Sequence, residues 1–217
     1  MISNPNNPNG QVFSKAELKY IYNFCNKNKI ILIADEIYHG IEYGKQSKSV
    51  LNFGPDAFVI NSFSKYFCMP GWRLGWAVVP ENFTDNFLKL SQNLFISTGN
   101  ISQYSAVKAF NCIDYFDKIV KSYKENKQYI SSELKKVKNL EFREPMGAFY
   151  FYLNTKKFGI KAVDLSDKLL SQTGVVLTPG DDFDKKYGSN FLRLAFSGNK
   201  IKIKKGIKKL VEWLNNY

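Results

Sequence analysis

A lysine-bearing polar loop between two apolar runs is the feature that most limits what this chain can fold into. The apolar run 58–60 leads into the loop around Lys65, and a Pro70-Gly71 turn and Arg73 precede the second run. This order predicts a buried strand, a loop and another strand. Most lone lysines are simply solvated, but apolar and aromatic neighbours would desolvate this ammonium group and lower its pKa. A neutral amine at Lys65 would be able to attack a carbonyl group.

A second apolar run ends in a carboxylate. Residues 30–34 are continuous and largely β-branched, which predicts a strand buried on both faces of a parallel sheet, and Asp35 ends that strand. Ser14 and Glu17 have the spacing of a capping box, so a helix is expected to precede this strand. Ligands of open α/β sheets gather at the carboxyl ends of strands, where Asp35 and Lys65 are both expected to lie.

The charge of the chain raises nucleic-acid binding as an alternative function. The net charge is +12 and the sequence pI is about 9.4, values typical of nucleic-acid-binding proteins. The basic residues are nearly all lysines, however, and the only arginines are Arg73, Arg143 and Arg193. Base and phosphate recognition favours the planar fork of arginine, so a solvated lysine-rich surface without nucleic acid is the preferred interpretation.

The cysteines and the hydropathy pattern indicate the compartment. Cys25, Cys68 and Cys112 are odd in number and lack metal-ligand spacing, so we expect reduced thiols, no metal and a cytoplasmic protein. No apolar run approaches the roughly 18 residues that span a bilayer. The lysine-rich pattern at 200–216 would suit a membrane-surface helix, but a solvated face on a terminal helix is the simpler interpretation.

The second half of the chain predicts a separate domain. Its pattern combines a long helix with short strands, and we place a boundary near residue 114. The two predicted domains are therefore 1–114, which is α/β, and 115–217, which is α+β. The elements expected after the long helix are an aromatic strand at 146–153, a helix at 162–172, strands at 175–178 and 191–195, and the terminal helix.

Four segments resemble the pyridoxal-phosphate-dependent aminotransferases of class I/II, which have the fold type I architecture. The lysine segment 62–75 resembles the cofactor-lysine segment of that family. The turn 4–10 resembles its Asn-Pro-x-Asn-Pro-Thr-Gly turn, with Asn9 where threonine is usual. Residues 31–38 resemble its strand ending in Asp-Glu-x-Tyr, and 191–197 fits a fourth landmark. The segments occur in the family's order, and four such motifs in register are a specific signal.

The resemblance implies which residues hold the ring of pyridoxal 5'-phosphate. Lys65 is implied to carry the cofactor covalently and then to act as the base that moves the α-proton. Asp35 is implied to keep the pyridine nitrogen protonated, while Asn7 and Tyr38 hydrogen-bond the ring oxygen. His39, the only histidine, is given no catalytic role and is expected at the surface or behind the site.

The resemblance also implies how phosphate and substrate are held. Ser62 and Arg73 are implied to bind the cofactor phosphate, and Arg193 to clamp the α-carboxylate of an amino acid beside Asn7. The reaction implied is amino-group transfer between an α-amino acid and a 2-oxo acid. On physical grounds, an arginine within an apolar strand should also meet an anion, because an unpaired buried guanidinium is costly.

The sequence begins inside the Asn-Pro turn, so we expect a C-terminal portion of the family's fold. That portion comprises an incomplete large domain, with a mainly parallel sheet and helices, and an α+β small domain. We expect little transaminase activity from it alone. The partners expected are a second copy, since full-length members form homodimers, or a separate chain carrying the N-terminal half. The alternative is a non-catalytic remnant or interaction protein that keeps the fold without binding the cofactor efficiently.

Overall fold

A computed structural model describes all 217 residues, which form two compact units. Unit 1 comprises Met1–Asn6 and Gln11–Val120, and unit 2 comprises Asn7–Gly10 and Lys121–Tyr217. The domain boundary near residue 114 stays a prediction. None of the helices is both long enough and apolar enough to cross a membrane.

Unit 1 is a four-stranded sheet with helices. Its strands, in chain order, are β1 (Ile2–Ser3), β2 (Leu32–Asp35), β3 (Ala57–Ser62) and β4 (Gly75–Val78). Its helices are α1 (Lys15–Lys27), α2 (Thr84–Leu94), α3 (Asn100–Ala109) and the start of α4 (Ile113–Leu134). The capping box of α1 is confirmed, because Ser14 Oγ accepts the Glu17 N–H at 3.2 Å and Glu17 Oε2 accepts the Ser14 N–H at 2.7 Å.

The sheet of unit 1 is mixed, in the order β1-β2-β3-β4. Strands β1, β2 and β3 are parallel, and β4 is antiparallel to β3. The register of β2 and β3 places Asp35 opposite Ile60. The carboxyl ends of these two strands therefore meet at one edge of the sheet, where the chain leaves β2 at Asp35 and β3 at Ser62.

The prediction that 30–34 is buried on both faces is wrong. Leu32 and Ala34 pack against α1, together with Leu18 and Val59. The alternate side chains point away from this core, and Ile33 is 36% exposed. Side chains alternate between the faces of a strand, so the apolar run reflects two apolar faces of which α1 covers only one.

An aromatic cluster supports the loop that follows β3. Phe63 and Phe67 are buried with their ring centres 4.8 Å apart. The ring of Phe67 also packs edge-on against Phe110, at 5.3 Å, and against Phe116 in α4, at 5.5 Å. Lys65 lies between the two buried phenylalanines in sequence, so the loop that carries it is anchored on both sides.

Unit 2 is an antiparallel sheet with helices. Its strands are β5 (Glu141–Phe142), β6 (Tyr150–Asn154), β7 (Thr178–Pro179) and β8 (Phe191–Ala195), in the order β5-β6-β8-β7. Helices α5 (Ala162–Thr173) and α6 (Lys200–Asn216) pack against one another. They bury Leu165, Leu169, Leu210 and Leu214, while Phe151 and Leu192 are buried in the sheet.

Candidate active site

The carboxylate predicted to end β2 is half-buried at the edge of the sheet. Asp35 Oδ1 accepts the N–H of Ile37 at 3.2 Å. Burial raises the pKa of Asp35 above its ordinary value, and the Ile37 hydrogen bond and the positive charge of Lys65 oppose that effect. A cationic group beside such a partly desolvated carboxylate would stabilise its charged form.

The structure brings Lys65 close both to this carboxylate and to the ring of Tyr38. Lys65 Nζ lies 5.6 Å from the centre of the Tyr38 ring. Tyr38 is 2% exposed, and it follows Asp35 in the turn that leaves β2. The turn is closed by hydrogen bonds from His39 N–H to the carbonyl of Glu36 and from Ile41 N–H to the carbonyl of Tyr38, each at 3.0 Å. An amine, a phenol and a carboxylate therefore gather at the carboxyl ends of β2 and β3.

Ser62 ends β3 within a compact set of hydrogen bonds. Its Oγ accepts the N–H of Ser64 at 3.0 Å and lies 2.9 Å from Ser64 Oγ and 3.2 Å from the carbonyl oxygen of Leu74. The opposite residue in β4 is Gly75, where a Cβ would lie 2.6 Å from the carbonyl oxygen of Asn61. Only glycine allows the two strands to approach this closely.

Arg73 lies two residues before the cross-strand partner of Ser62. Its backbone is left-handed, with φ 52°, and its side chain is exposed. Its Nη1 donates a hydrogen bond to the carbonyl oxygen of Pro70 at 2.9 Å. One edge of the guanidinium is thus held by the turn, and Arg73 and Ser62 are both at the end of the β3–β4 pair.

The remaining two predicted residues, Asn7 and Arg193, contact one another in unit 2. Arg193 Nη1 donates to Asn7 Oδ1 at 2.8 Å, and Nη2 lies 3.4 Å from Thr178 Oγ1. The guanidinium carbon lies 4.4 Å from the centre of the Tyr150 ring and 4.5 Å from that of Phe183. Arg193 Nε is buried without a hydrogen-bond partner.

The cost of an unpaired buried guanidinium predicts an anion beside Arg193, but the contacts described above are with uncharged groups. An amide, a hydroxyl and two rings carry no formal charge, and the rings stabilise the cation through their π faces. These hydrogen bonds use two of the five N–H donors of the guanidinium. The group therefore keeps donor capacity for a carboxylate.

Sequence reasoning missed Tyr150, Phe183 and Thr178 around Arg193. Strand register would have found two of them, since Arg193 pairs with Thr178 in β7 and with Tyr152 in β6, and Tyr150 is two residues from Tyr152. Phe183 lies in the segment after β7, and no local pattern marks it.

His39 is mostly buried and neutral. Burial lowers the pKa of His39 to about 4, against a smaller opposing hydrogen bond with the main chain of Asn4. Its Nδ1 lies 3.5 Å from Glu36 Oε2. Because the imidazole is uncharged at neutral pH, this contact is not an ion pair there.

Comparison with known proteins identifies the family. The sequence profile for aminotransferase class I and II matches residues 1–210. The chain is 34% identical to an aspartate aminotransferase of Sulfolobus acidocaldarius, over 99% of this chain and 56% of that protein. It is also 34% identical to a valine–pyruvate aminotransferase of Mycobacterium tuberculosis, with the same coverage of both chains. The chain thus spans about half the length of the curated relatives that it matches.

Comparison of the fold with solved structures identifies the same family. A crystal structure of an aminotransferase from Mycobacterium tuberculosis superposes with a TM-score of 0.95 at 33% identity, over 100% of this chain and 57% of that one. The prediction of a fold type I architecture, present in part, is confirmed. The chain belongs to the class I and II aminotransferase family.

Proposed function

We propose that this chain provides the cofactor lysine and the carboxylate-binding arginine of a pyridoxal-phosphate-dependent aminotransferase. The observation that carries the proposal is the position of Lys65 Nζ, 5.6 Å from the Tyr38 ring and close enough to Asp35 for their charges to interact. Family membership supports the same reaction class. The class I and II family is generally dependent on pyridoxal phosphate.

The donor set suits that cofactor chemically. Pyridoxal phosphate, when bound, supplies an aldehyde and an electron-withdrawing pyridinium ring. The raised pKa of Asp35 reports a partly desolvated carboxylate, and a cationic ring nitrogen is the partner that would stabilise its charged form. The amine of Lys65, the phenol of Tyr38 and the hydroxyl of Ser62 offer the nucleophile and the neutral donors that such a molecule needs.

Each residue then has a specific task. Lys65 would hold the cofactor through its amine and, once released, take the proton from the substrate Cα at Nζ. Tyr38 and Asn7 would donate hydrogen bonds to the ring oxygen. Ser62 and Arg73 would hold the phosphate, for which the planar guanidinium of arginine is suited.

Arg193 would anchor the α-carboxylate of the amino acid. Its hydrogen bond to Asn7 and its contacts with the rings of Tyr150 and Phe183 fix the guanidinium before the substrate arrives. A group held in its final orientation loses little entropy on binding. A charge-assisted, two-point contact of this kind selects molecules with a free carboxylate.

The substrate class is an α-amino acid with a 2-oxo acid. The matched relatives carry different substrate names, one an aspartate aminotransferase and the other a valine–pyruvate aminotransferase. Since both are equally similar to this chain, the identity values support the shared reaction and do not favour either side chain.

The complete enzyme is proposed to contain further polypeptide, as a second copy of the chain or as a separate chain carrying the remainder of the fold. Apolar side chains around α2 and α3 are strongly exposed, and Ile96 is 87% exposed. The other members of this surface are Leu94, Phe95, Ile101, Tyr104 and Val107. Burying such a surface would be favourable. The same surface also favours the alternative, an interaction protein that keeps the fold without catalysis.

Absorbance spectroscopy separates these two functions. The chain is titrated with pyridoxal phosphate, alone and after mixing with a polypeptide that supplies the remainder of a relative's fold. We expect a new absorbance band that Lys65→Ala abolishes, and turnover of an amino acid in the mixed sample. Binding of the second polypeptide without a Lys65-dependent band would support the interaction protein and contradict the enzyme.

A further inference from the structure

The side chain of Tyr66 fills the space beside the turn that carries Tyr38. A Cβ added at Gly40 would lie 2.5 Å from Cδ2 of the Tyr66 ring and 2.9 Å from its Cγ. Gly40 is the last residue of the turn that contains Tyr38, and its φ is positive, at 88°. The ring of Tyr66 and the backbone of this turn are therefore in close contact, and a side chain at position 40 has no room.

The other end of Tyr66 is fixed to α4. Its hydroxyl donates a hydrogen bond to Asp117 Oδ1 at 2.6 Å. Burial and the neighbouring Asp117 carboxylate raise the pKa of Tyr66, so the phenol stays protonated and remains a donor. The ring also packs edge-on against Phe67 at 5.1 Å and lies 5.8 Å from Phe116. These contacts hold the ring at its face, edge and hydroxyl.

We propose that Tyr66 is a positioning residue that sets the amine of Lys65 relative to Tyr38. Tyr66 follows Lys65 directly, so the backbone of Lys65 cannot shift without moving the ring away from Gly40 or from Asp117. The turn with Tyr38 and the loop with Lys65 are thereby fixed to each other through one side chain. The inference rests on the proposed function of Lys65, because it concerns where that amine is held.

The attachment of pyridoxal phosphate to Lys65 provides the first test. Its rate is measured by borohydride reduction and mass spectrometry of the Lys65 peptide, across a range of pH. Tyr66→Leu is expected to slow attachment at least about tenfold, since misplacement of a reacting group by about 1 Å can cost 100-fold. It is also expected to shift the pH midpoint of the reaction. Tyr66→Phe, which keeps the ring, is expected to restore most of the rate, and Asp117→Asn to resemble Tyr66→Phe.

A merely structural Tyr66 gives a different result. In that case Tyr66→Leu lowers the thermal unfolding midpoint but leaves the rate and the pH midpoint of attachment unchanged, which overturns the inference. Absence of any Lys65-specific attachment in the unsubstituted chain would instead overturn the proposed function.

A stability cycle tests the contact independently of the cofactor. Gly40→Ala is introduced with and without Tyr66→Ala, which removes Cγ and Cδ2 of residue 66, and the unfolding midpoints are compared. The strain from the positive φ is present in both backgrounds and cancels in the cycle. We expect Gly40→Ala to lower the midpoint by at least about 3 °C more when Tyr66 is present, because the three atoms nearest its Cβ are Cδ2, Cγ and Cε2 of the tyrosine ring. Equal shifts in both backgrounds would overturn the inference.

Discussion

Arg193 donates a hydrogen bond from Nη1 to Asn7 Oδ1 at 2.8 Å, although 186 positions separate the two residues. The contact joins the Asn-Pro turn to β8. It fixes the orientation of a guanidinium whose carbon lies 4.4 Å from the centre of the Tyr150 ring and 4.5 Å from that of the Phe183 ring. The arginine is thus oriented by uncharged groups, and none of these contacts neutralises its positive charge.

Replacement of Arg193 by lysine tests this role. Lysine keeps the charge but loses the planar fork and its stacking on the rings. We expect the dissociation constant of a 2-oxo acid, measured by calorimetry on the cofactor-loaded assembly, to rise about 10–100-fold, since hydrogen bonds to charged groups contribute about 1.5–3 kcal/mol. Arg143 is exposed, so Arg143→Lys is the matched control, and we expect this variant to bind the 2-oxo acid with unchanged affinity. Equal affinity in both variants would contradict the assignment.

Replacement of Asp35 by asparagine is expected to stabilise the cofactor-free chain while weakening cofactor binding. Burial raises the pKa of Asp35 in the folded state. Above that raised pKa the charged carboxylate lowers the free energy of unfolding, and this cost disappears as the pH falls below the ordinary value of 3.8. Asparagine can still accept the Ile37 N–H. The unfolding midpoint at pH 7 should therefore rise by about 1–4 °C, and this gain should vanish as the pH falls below 4.

Although Asp35→Asn should raise the unfolding midpoint, it should lower the affinity for pyridoxal phosphate at least about tenfold, because a paired buried charge is lost. Asp167→Asn, at an exposed position in α5, is the control for a change of charge alone. A midpoint that falls at pH 7 in Asp35→Asn would contradict the pKa argument. Unchanged cofactor affinity would contradict the role of the carboxylate.

Two glycines near the proposed phosphate-binding residues are expected to respond differently to alanine. At Gly75 a Cβ would lie 2.6 Å from the backbone oxygen of Asn61, so Gly75→Ala must separate β4 from β3. We expect a loss of about 2 kcal/mol in the free energy of unfolding. At Gly71 no atom lies within 4 Å of the added Cβ, and Gly71→Ala should change stability by less than about 0.5 kcal/mol. Chemical denaturation measures both, and similar losses would contradict the close approach of the strands.

The carboxylate of Glu144 makes the stability of unit 2 depend on pH. The hydrogen bond from Lys135 at 2.8 Å, followed by that from Ser131 at 2.6 Å, lowers the pKa of Glu144 to about 2. A lowered carboxyl pKa contributes stability that is complete above the ordinary value of 4.5 and is lost as the pH falls toward 2.

Glu144→Gln should therefore lower the unfolding midpoint at pH 7, by about 1–3 °C because the group is partly exposed and solvent screens it. The difference from the unsubstituted chain should narrow between pH 4.5 and pH 2. Glu212→Gln, at an exposed position in α6, serves as the control. A difference that is constant with pH would contradict the ionic origin of the effect.

The sequence predicts the positions of the candidate residues better than it predicts their surroundings. Asp35 and Ser62 lie at the ends of parallel strands, and Arg193 lies in β8, whose bounds match the predicted 191–195. Local motifs and apolar runs set these positions. The rings of Tyr150 and Phe183 are brought to Arg193 by strand pairing and by a distant segment, so no pattern near Arg193 reveals them.

The errors in the fold have a similar cause. The apolar run at 30–34 predicts a strand correctly but cannot show which structure covers its second face, and Ile31 is 55% exposed. The short strand β1 lies in a turn-rich segment and exists because its two residues pair with Ala34 and Asp35. Contacts between distant parts of the chain decide both features.

The most direct test of the account is to locate the cofactor on the chain. Borohydride reduction in the presence of pyridoxal phosphate, followed by peptide mapping, shows which lysine is modified. The account predicts that the peptide containing Lys65 carries the label at cofactor concentrations too low to label the exposed lysines of α6, and that Lys65→Arg removes it. Labelling spread evenly over the surface lysines, with Lys65 no more reactive than the rest, would contradict it.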